Sequence, residues 1–362
     1  MPQGHIVMAG TAPDQQGGVA AVVRIWQEAG LFDQWPILFL PTHKDGHKLK
    51  KLLVFVVAIW RFRRMLATEN VALLHVLGAS RASFRRKSLL IRMALARGVP
   101  VLYHLHGGGF ADWYQESPGK TRQAITTLLE QCQQVVALSE SWVTRIQEIA
   151  PTARVVVVPN PTPPGVSVEN VVREPATLLF LGRLEPQKGV YDLIRAVAPL
   201  RHRFPHLRLI LAGAGDRQGV LTALQTAGMA DQSHLPGWVA GTEKARLLAQ
   251  AGIFVLPSHM EGVPISILEA MAEGIPVVAS RVGGVPDLLT DGLEGRMIPP
   301  ENIPALTSAL AELLDNPLLA QQMGQAGQKR AAQHAPEKIV QQLGAIYHGL
   351  GIAQVPIHEI LE

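Results

Sequence analysis

Two glutamates eight positions apart frame the segment Glu261-Gly-Val-Pro-Ile-Ser-Ile-Leu-Glu269. The apolar run Ile253–Leu256 and then Pro257-Ser258 come before it, so the order reads strand, loop, helix. Pro264 suits a first helical position, where a missing N–H costs nothing. Glu261 then falls in the loop at the carboxyl end of a strand, where open α/β sheets bind ligands. Val263, Pro264, Ile265 and Ser266 form the turn into the helix, and the N–H groups of Ile265 and Ser266 suit an anion such as a diphosphate. Glu269, further along the helix, can accept hydrogen bonds from a sugar diol. The plain alternative is a solvent-facing glutamate on each of two unrelated elements.

A second segment, Gly182-Arg183-Leu184-Glu185-Pro186-Gln187-Lys188-Gly189, also follows an apolar run. Arg183 brings a fixed fork of donors and Lys188 a point charge, a pair suited to pyrophosphate. Solvated charges on a surface loop are the alternative. Gly17-Gly18, between a first strand and a first helix, lets backbone N–H groups approach a phosphate or an acceptor, or is an ordinary turn. Tyr103-His104-Leu105-His106-Gly107-Gly108-Gly109 ends a strand and enters a glycine-rich loop. His106, at the strand end, is the exposed candidate; His75 and His104 lie within apolar strands and read as core histidines. Gly213-Ala-Gly215 lacks the third glycine of a dinucleotide fingerprint, since Gln218 stands there.

These residues need a scaffold. Short apolar runs alternate with helical stretches: strands at Ile6–Met8, Ile37–Leu40, Leu73–Val76, Val101–His104, Val135–Leu138 and Val155–Val158, with five helices between them. The proline-rich segment Pro159 to Pro175 reads as a linker. The alternation then restarts at Leu178–Leu181, Leu207–Ala212, Ile253–Pro257, Val277–Ala279 and Gly295–Ile298, and a last helix spans Pro336 to Leu350. This is the pattern of two doubly wound parallel α/β units, over 1–165 and 170–337, with 338–362 as a terminal helix and tail.

The chain has 362 residues, 48% of them hydrophobic, enough for two cores and too apolar for general disorder. One cysteine, Cys132, excludes an internal disulfide or a cysteine zinc cluster. No signal-peptide pattern and no bilayer-length apolar run are legible, so a soluble, cytoplasmic protein is expected. Residues 1–170 hold 18 Lys and Arg against 11 Asp and Glu, and the remainder 15 against 18, so the first half suits an anionic partner. The stretch Lys48–Arg64 has an apolar centre between basic ends, and Arg85-Arg86-Lys87 adds charge. The apolar residues wrap the helix, so Leu52–Ile59 is assigned mostly to the core. The flanking Lys and Arg, with Arg85–Lys87, are assigned to an anionic membrane surface.

Walker A, His-Glu-x-x-His, Gly-x-Ser-x-Gly and Asp-x-Asp patterns are missing. The motifs that are present resemble, in order, those of the retaining glycosyltransferases of family 4, of GT-B fold. The matching residues are Gly17-Gly18, His106-Gly107, Val158-Pro159-Asn160, Gly182-Arg183-Leu184 with Lys188-Gly189, the Glu-x7-Glu pair Glu261 and Glu269, and Gly283-Gly284-Val285-Pro286-Asp287. The second half matches closely and the first more loosely. Ile265 departs from the Leu or Gly of many members.

The resemblance implies two Rossmann-like domains facing a cleft, with the last helix crossing back to the first. The first domain would bind a glycan or lipid-linked acceptor and the second a UDP- or GDP-sugar. It further implies that Arg183 and Lys188 neutralise the diphosphate, Glu261 binds sugar hydroxyls, Glu269 the ribose, and His106 the donor sugar. Transfer would proceed with retention, without metal or enzyme nucleophile. No cofactor and no nucleic-acid partner are expected. The rivals are a GT-B-like sugar-nucleotide epimerase and a basic, non-enzymatic membrane- or nucleic-acid-binding module. A nicotinamide dehydrogenase ranks below them, because neither half has a complete Gly-x-Gly-x-x-Gly.

Overall fold

The computed structural model describes residues 4–44, 46–163, 165, 168–169 and 171–355. The chain divides into two compact units. The residues up to Pro161, together with the chain from Pro336 onward, form unit 1; Thr162–Ala335 form unit 2. The breaks therefore fall at 161/162 and 335/336, rather than between 165 and 170 and at 337/338. Residue 170, Pro164 and the tail beyond Val355 lie outside the described residues.

Unit 1 contains β1 (His5–Thr11), β2 (Ile37–His43), β3 (Val71–Gly78), β4 (Val101–Leu105), β5 (Gln134–Ala137) and β6 (Val155–Val157). They form one parallel sheet in the order β2-β1-β3-β4-β5-β6. Its core residues, such as Ile6–Ala9, Leu73–Leu77 and Val101–Tyr103, are buried almost without interruption, as expected of parallel strands covered on both faces. The helix Pro336–Gly349 belongs to this unit. Its Tyr347 is fully buried edge-on to Trp35, and its hydroxyl lies 2.7 Å from His75 Nδ1.

Unit 2 contains β7 (Glu174–Leu181), β8 (Arg208–Ala212), β9 (Ser233–Gly237), β10 (Ala251–Leu256), β11 (Val277–Ser280) and β12 (Gly295–Ile298). All are parallel, in the order β12-β11-β10-β7-β8-β9. Chain order runs outward from β7 on one side and from β10 on the other. The gap between the carboxyl ends of β7 and β10 is therefore the topological switch point, where doubly wound sheets hold their ligands.

Several local expectations change. The break between the units falls inside the expected linker, whose described ends are held in place: Asn160, Pro161 and Thr162 are buried, Thr162 bonds to the Ala331 and His334 carbonyls, and Pro175 lies inside β7. The helix Val190–Val197 stops there and continues as a 3-10 turn, Ala198–His202, because Pro199 has no N–H to offer. The glycine-rich loop is short, because the helix Phe110–Glu116 begins directly after Gly109. Pro264 is not the first helical residue but an extended residue capping the helix Ile265–Ala272.

The helix Lys48–Thr68 departs most. Ala58 and Phe62 are buried, whereas Leu52, Leu53, Val56 and Val57 are exposed, so Leu52–Ile59 is not mostly core. Lys87, assigned to a membrane-facing cluster, is instead buried. Its place on the inward side of the helix Arg81–Leu95, one turn after Ser83, decides this.

Candidate active site

The loops after β7 and β10 meet at the unit 2 switch point, and backbone geometry forces the meeting. Gly189 has φ +70°, and a Cβ there would lie 1.9 Å from the Pro257 carbonyl oxygen, so only glycine permits this approach. The His259 N–H donates to the Gln187 carbonyl at 2.9 Å, tying one loop to the other. On the other side Gly283, at φ +56°, packs where a Cβ would lie 1.8 Å from the Glu261 carbonyl oxygen, and the Gly284 N–H donates to Gly262. The Gly-Gly pair thus braces the loop that carries Glu261.

Within this frame Lys188 Nζ lies 2.6 Å from Glu261 Oε1, and Ser258 Oγ donates to the same oxygen at 2.7 Å. Glu261 is buried and Lys188 about a quarter exposed, so the pair is partly desolvated and stronger than a surface ion pair. Glu269 is also buried and pairs with Lys244 of the helix Gly241–Gln250. Arg183 is well exposed and turned toward Glu185, with its Nε donating at 2.7 Å. Gly182 follows β7 directly, and its N–H bonds the Ala212 carbonyl. Val263, Pro264 and Ile265 are buried and Ser266 is half-buried. Pro264 supplies no side-chain cap, so the first N–H groups of this helix are left to another acceptor.

Sequence reasoning missed four members of this cluster: Ser258, His259, Lys244 and Asp192. His259 Nε2 lies 2.7 Å from Asp192 Oδ2, and its Nδ1 3.1 Å from Glu301 Oε1. Position alone could have found Ser258 and His259, which sit between a strand end and Glu261. Lys244 had no sequence signal, because only the tertiary fold brings its side chain to Glu269.

In unit 1, Gly17 caps the helix Gly18–Glu28, and nothing lies within 4 Å of where its Cβ would be. His106 follows β4, and its N–H donates to the Gly78 carbonyl. It is more accessible than His75 and His104, which are fully buried, but its own Nε2 is buried. The rings of His104 and His106 stack at 4.2 Å, Trp26 stacks on His104 and is tilted against His106, and His75 stacks on His104 at 5.6 Å. Burial holds the His106 pKa down to about 3, assisted by the Lys87 charge and opposed by a hydrogen bond to Asn160. Burial likewise pushes His75 to about 3 and His104 well below the usual range. At neutral pH these are neutral imidazoles, able to exchange hydrogen bonds but not to supply a proton. Burial lowers Lys87 to about 7; its Nζ donates to Ser83 Oγ at 3.0 Å. Among the described residues no group of three or more His, Cys, Asp or Glu side chains is gathered for a metal ion, and no helix is long and apolar enough to cross a membrane.

Two family models match. One, for glycosyl transferases group 1, covers residues 167–330, and the other, a glycosyl transferase 4-like domain, covers residues 3–161. Among curated relatives, the chain is 36% identical over 157 residues to a glycogen synthase of Mycobacterium tuberculosis, spanning 43% of this chain and 38% of that protein. It is 32% identical over 188 residues to a GDP-mannose-dependent alpha-(1-6)-phosphatidylinositol monomannoside mannosyltransferase of Mycolicibacterium smegmatis, spanning 46% of this chain and 49% of that protein. The chain thus spans less than half the length of these relatives. Sucrose-phosphate synthase from Thermosynechococcus elongatus shares the fold at TM-score 0.81 and 20% identity, over 96% of this chain and 99% of that one. HepE from Anabaena, in complex with UDP-glucose, does so at TM-score 0.74 and 17% identity, over 95% and 99%. The chain belongs to the family 4 glycosyltransferases and carries their two-domain α/β GT-B fold.

Proposed function

We propose that this chain moves a sugar from a UDP- or GDP-sugar to a glycan or lipid-linked acceptor, with retention of configuration and without a metal, in making cell-surface polysaccharide or glycolipid. Unit 2 binds the donor and unit 1 the acceptor. The observation that carries the reading is the Lys188–Glu261–Ser258 cluster at the switch point, beside a helix N-terminus with no side-chain cap.

In this reading the diphosphate is held by Lys188, by Arg183 swinging from Glu185, and by the N–H groups of Ile265 and Ser266. These groups also stabilise the charge that develops on the leaving diphosphate, the task a metal performs elsewhere. Glu261, released from part of its hold on Lys188, accepts hydrogen bonds from sugar hydroxyls, and Glu269 from ribose hydroxyls. The neutral His106 offers a hydrogen bond to a sugar and no proton. With no enzyme nucleophile in this scheme, a leaving-phosphate oxygen takes the proton of the attacking hydroxyl. The HepE complex with UDP-glucose and the GDP-mannose dependence in the mycobacterial relative's name support a nucleotide-sugar donor. The test is nucleoside-diphosphate release from UDP- and GDP-sugars with and without glycan and lipid-linked acceptors. Acceptor-dependent release supports the reading; full-rate conversion of donor alone would support an epimerase instead.

A further inference from the structure

The helix Lys48–Thr68 has two apolar faces. One, carrying Ala58 and Phe62, is buried as the helix packs on β2. The other carries Leu49, Leu52, Leu53, Val56, Val57 and Trp60, all between 42% and 74% exposed. Spacings of three and four put these six on one stripe, about 16 Å long at 1.5 Å per residue. Six of the twelve large apolar residues exposed among the described residues lie here, and a seventh, Leu89, lies on the helix Arg81–Leu95 packed beside it. Such concentration marks an interaction surface rather than scattered surface apolarity.

Charge decides what the surface meets. Lys50, Arg61, Arg63 and Arg64 are exposed around the stripe, and Arg85 and Arg92 on the neighbouring helix. The Arg64 guanidinium lies 5.9 Å from the centre of the Trp60 ring. Neither helix contains a carboxylate. Glu69 follows the end of the first helix, and Glu116 is already paired with Arg81 at 2.8 Å. A second copy of this chain docked face to face would bring like charges together. An anionic bilayer suits both the apolar stripe and its basic margin, with the Trp60 ring at headgroup depth.

We infer that the Lys48–Thr68 helix lies in the plane of an anionic membrane, its Leu49–Trp60 stripe inserted among the lipids and its lysines and arginines on the headgroups. As a statement about where the acceptor is reached, this rests on the proposed function; as a statement about lipid binding it stands alone.

The test uses the full chain with vesicles of phosphatidylcholine alone or mixed with phosphatidylglycerol, read by sedimentation and tryptophan emission. The chain should bind the anionic vesicles, less so as salt rises, with a blue shift that Trp60→Phe removes. Two carboxylates in the stripe, Leu53→Glu with Val57→Glu, should cut partitioning by about 100-fold or more. Lys50→Gln, Arg61→Gln and Arg64→Gln together should abolish the preference for anionic lipid. Both variant sets should keep the wild-type Tm, since these side chains are exposed. The inference is overturned by an absence of vesicle binding, or by equal binding of the Leu53/Val57 double variant. It is also overturned by a lipid-free dimer that this double variant converts to monomer. Nucleotide-sugar affinity measured on the same samples separates the two claims. Loss of that affinity with vesicle binding intact removes the proposed function and leaves the docking.

Discussion

Replacing Gly189 with alanine tests the frame that brings Lys188 to Glu261. Two costs can be read from the structure. The residue sits at φ +70°, where an L-residue costs about 1–2 kcal/mol. The added Cβ would lie 1.9 Å from the Pro257 carbonyl oxygen, a backbone atom, so the two loops must part by roughly 1.5 Å before ordinary contact is restored. That movement strains the His259 N–H bond to Gln187, worth about 0.5–1.5 kcal/mol. The total is about 1.5–3.5 kcal/mol, or a fall in Tm of about 3–14 °C for a domain of this size. Because the same movement separates Lys188 from Glu261, nucleoside-diphosphate affinity should drop about 30-fold, which corresponds to about 2 kcal/mol. Gly98→Ala is the control. Its φ is also +70°, but nothing lies within 4 Å of its Cβ position, so it should show the left-handed cost alone and leave affinity untouched. The readouts are calorimetric Tm and nucleotide titration. Wild-type Tm and affinity in Gly189→Ala would refute the claim that the two loops are built against each other.

Other outcomes follow from the same geometry. Glu261→Gln and Glu269→Gln each remove a charge-assisted hydrogen bond of about 1.5–3 kcal/mol, so kcat/KM should fall about 10- to 150-fold; unchanged kinetics would take them out of the site. Arg183→Lys should behave like Arg183→Ala, because the guanidinium fork and not the charge is needed; full rescue by lysine would contradict this. Turnover should survive EDTA, and loss restored by Mg²⁺ or Mn²⁺ would show that a metal takes part. The Tm should fall with acid. His75, His104 and His106 have folded pKa values far below the 6.5 of the unfolded chain, so their contribution is complete above pH 6.5. It is lost as pH drops from 6.5 toward 3, by up to about 1.4 kcal/mol per histidine per pH unit. A Tm flat between pH 7 and 5 would refute their burial as neutral rings.

The alternation of apolar runs was enough to read eleven of the twelve strands, because parallel strands buried on both faces write themselves as continuous Val, Ile and Leu. The exception, β9, is a short edge strand carrying Pro236, which neither its length nor its composition announces. The helix Pro317–Ala331 also went unread, its buried face made of Met323, Gly324, Gly327 and Ala331 rather than a bulky stripe. At the site, Glu261, Lys188 and the paired glycines were legible because each follows a strand end. Lys244 was not, because only tertiary packing delivers it to Glu269. The helix Lys48–Thr68 misled for a related reason. Residues apolar on two opposite faces look like a buried helix, and only the structure shows that one face meets β2 while the other meets no part of the chain's core.

In the proposed function, unit 2 holds a nucleotide-sugar diphosphate at Lys188 and Glu261. Isothermal titration of UDP, GDP and their sugars into wild type and Lys188→Ala measures it directly. Removing a charge-assisted bond to phosphate costs about 1.5–3 kcal/mol. One nucleotide series should therefore bind the wild type and bind Lys188→Ala roughly 10- to 150-fold more weakly, with the wild-type affinity also falling as salt rises. No binding of any nucleotide to wild type, or equal binding to both proteins, would contradict the account.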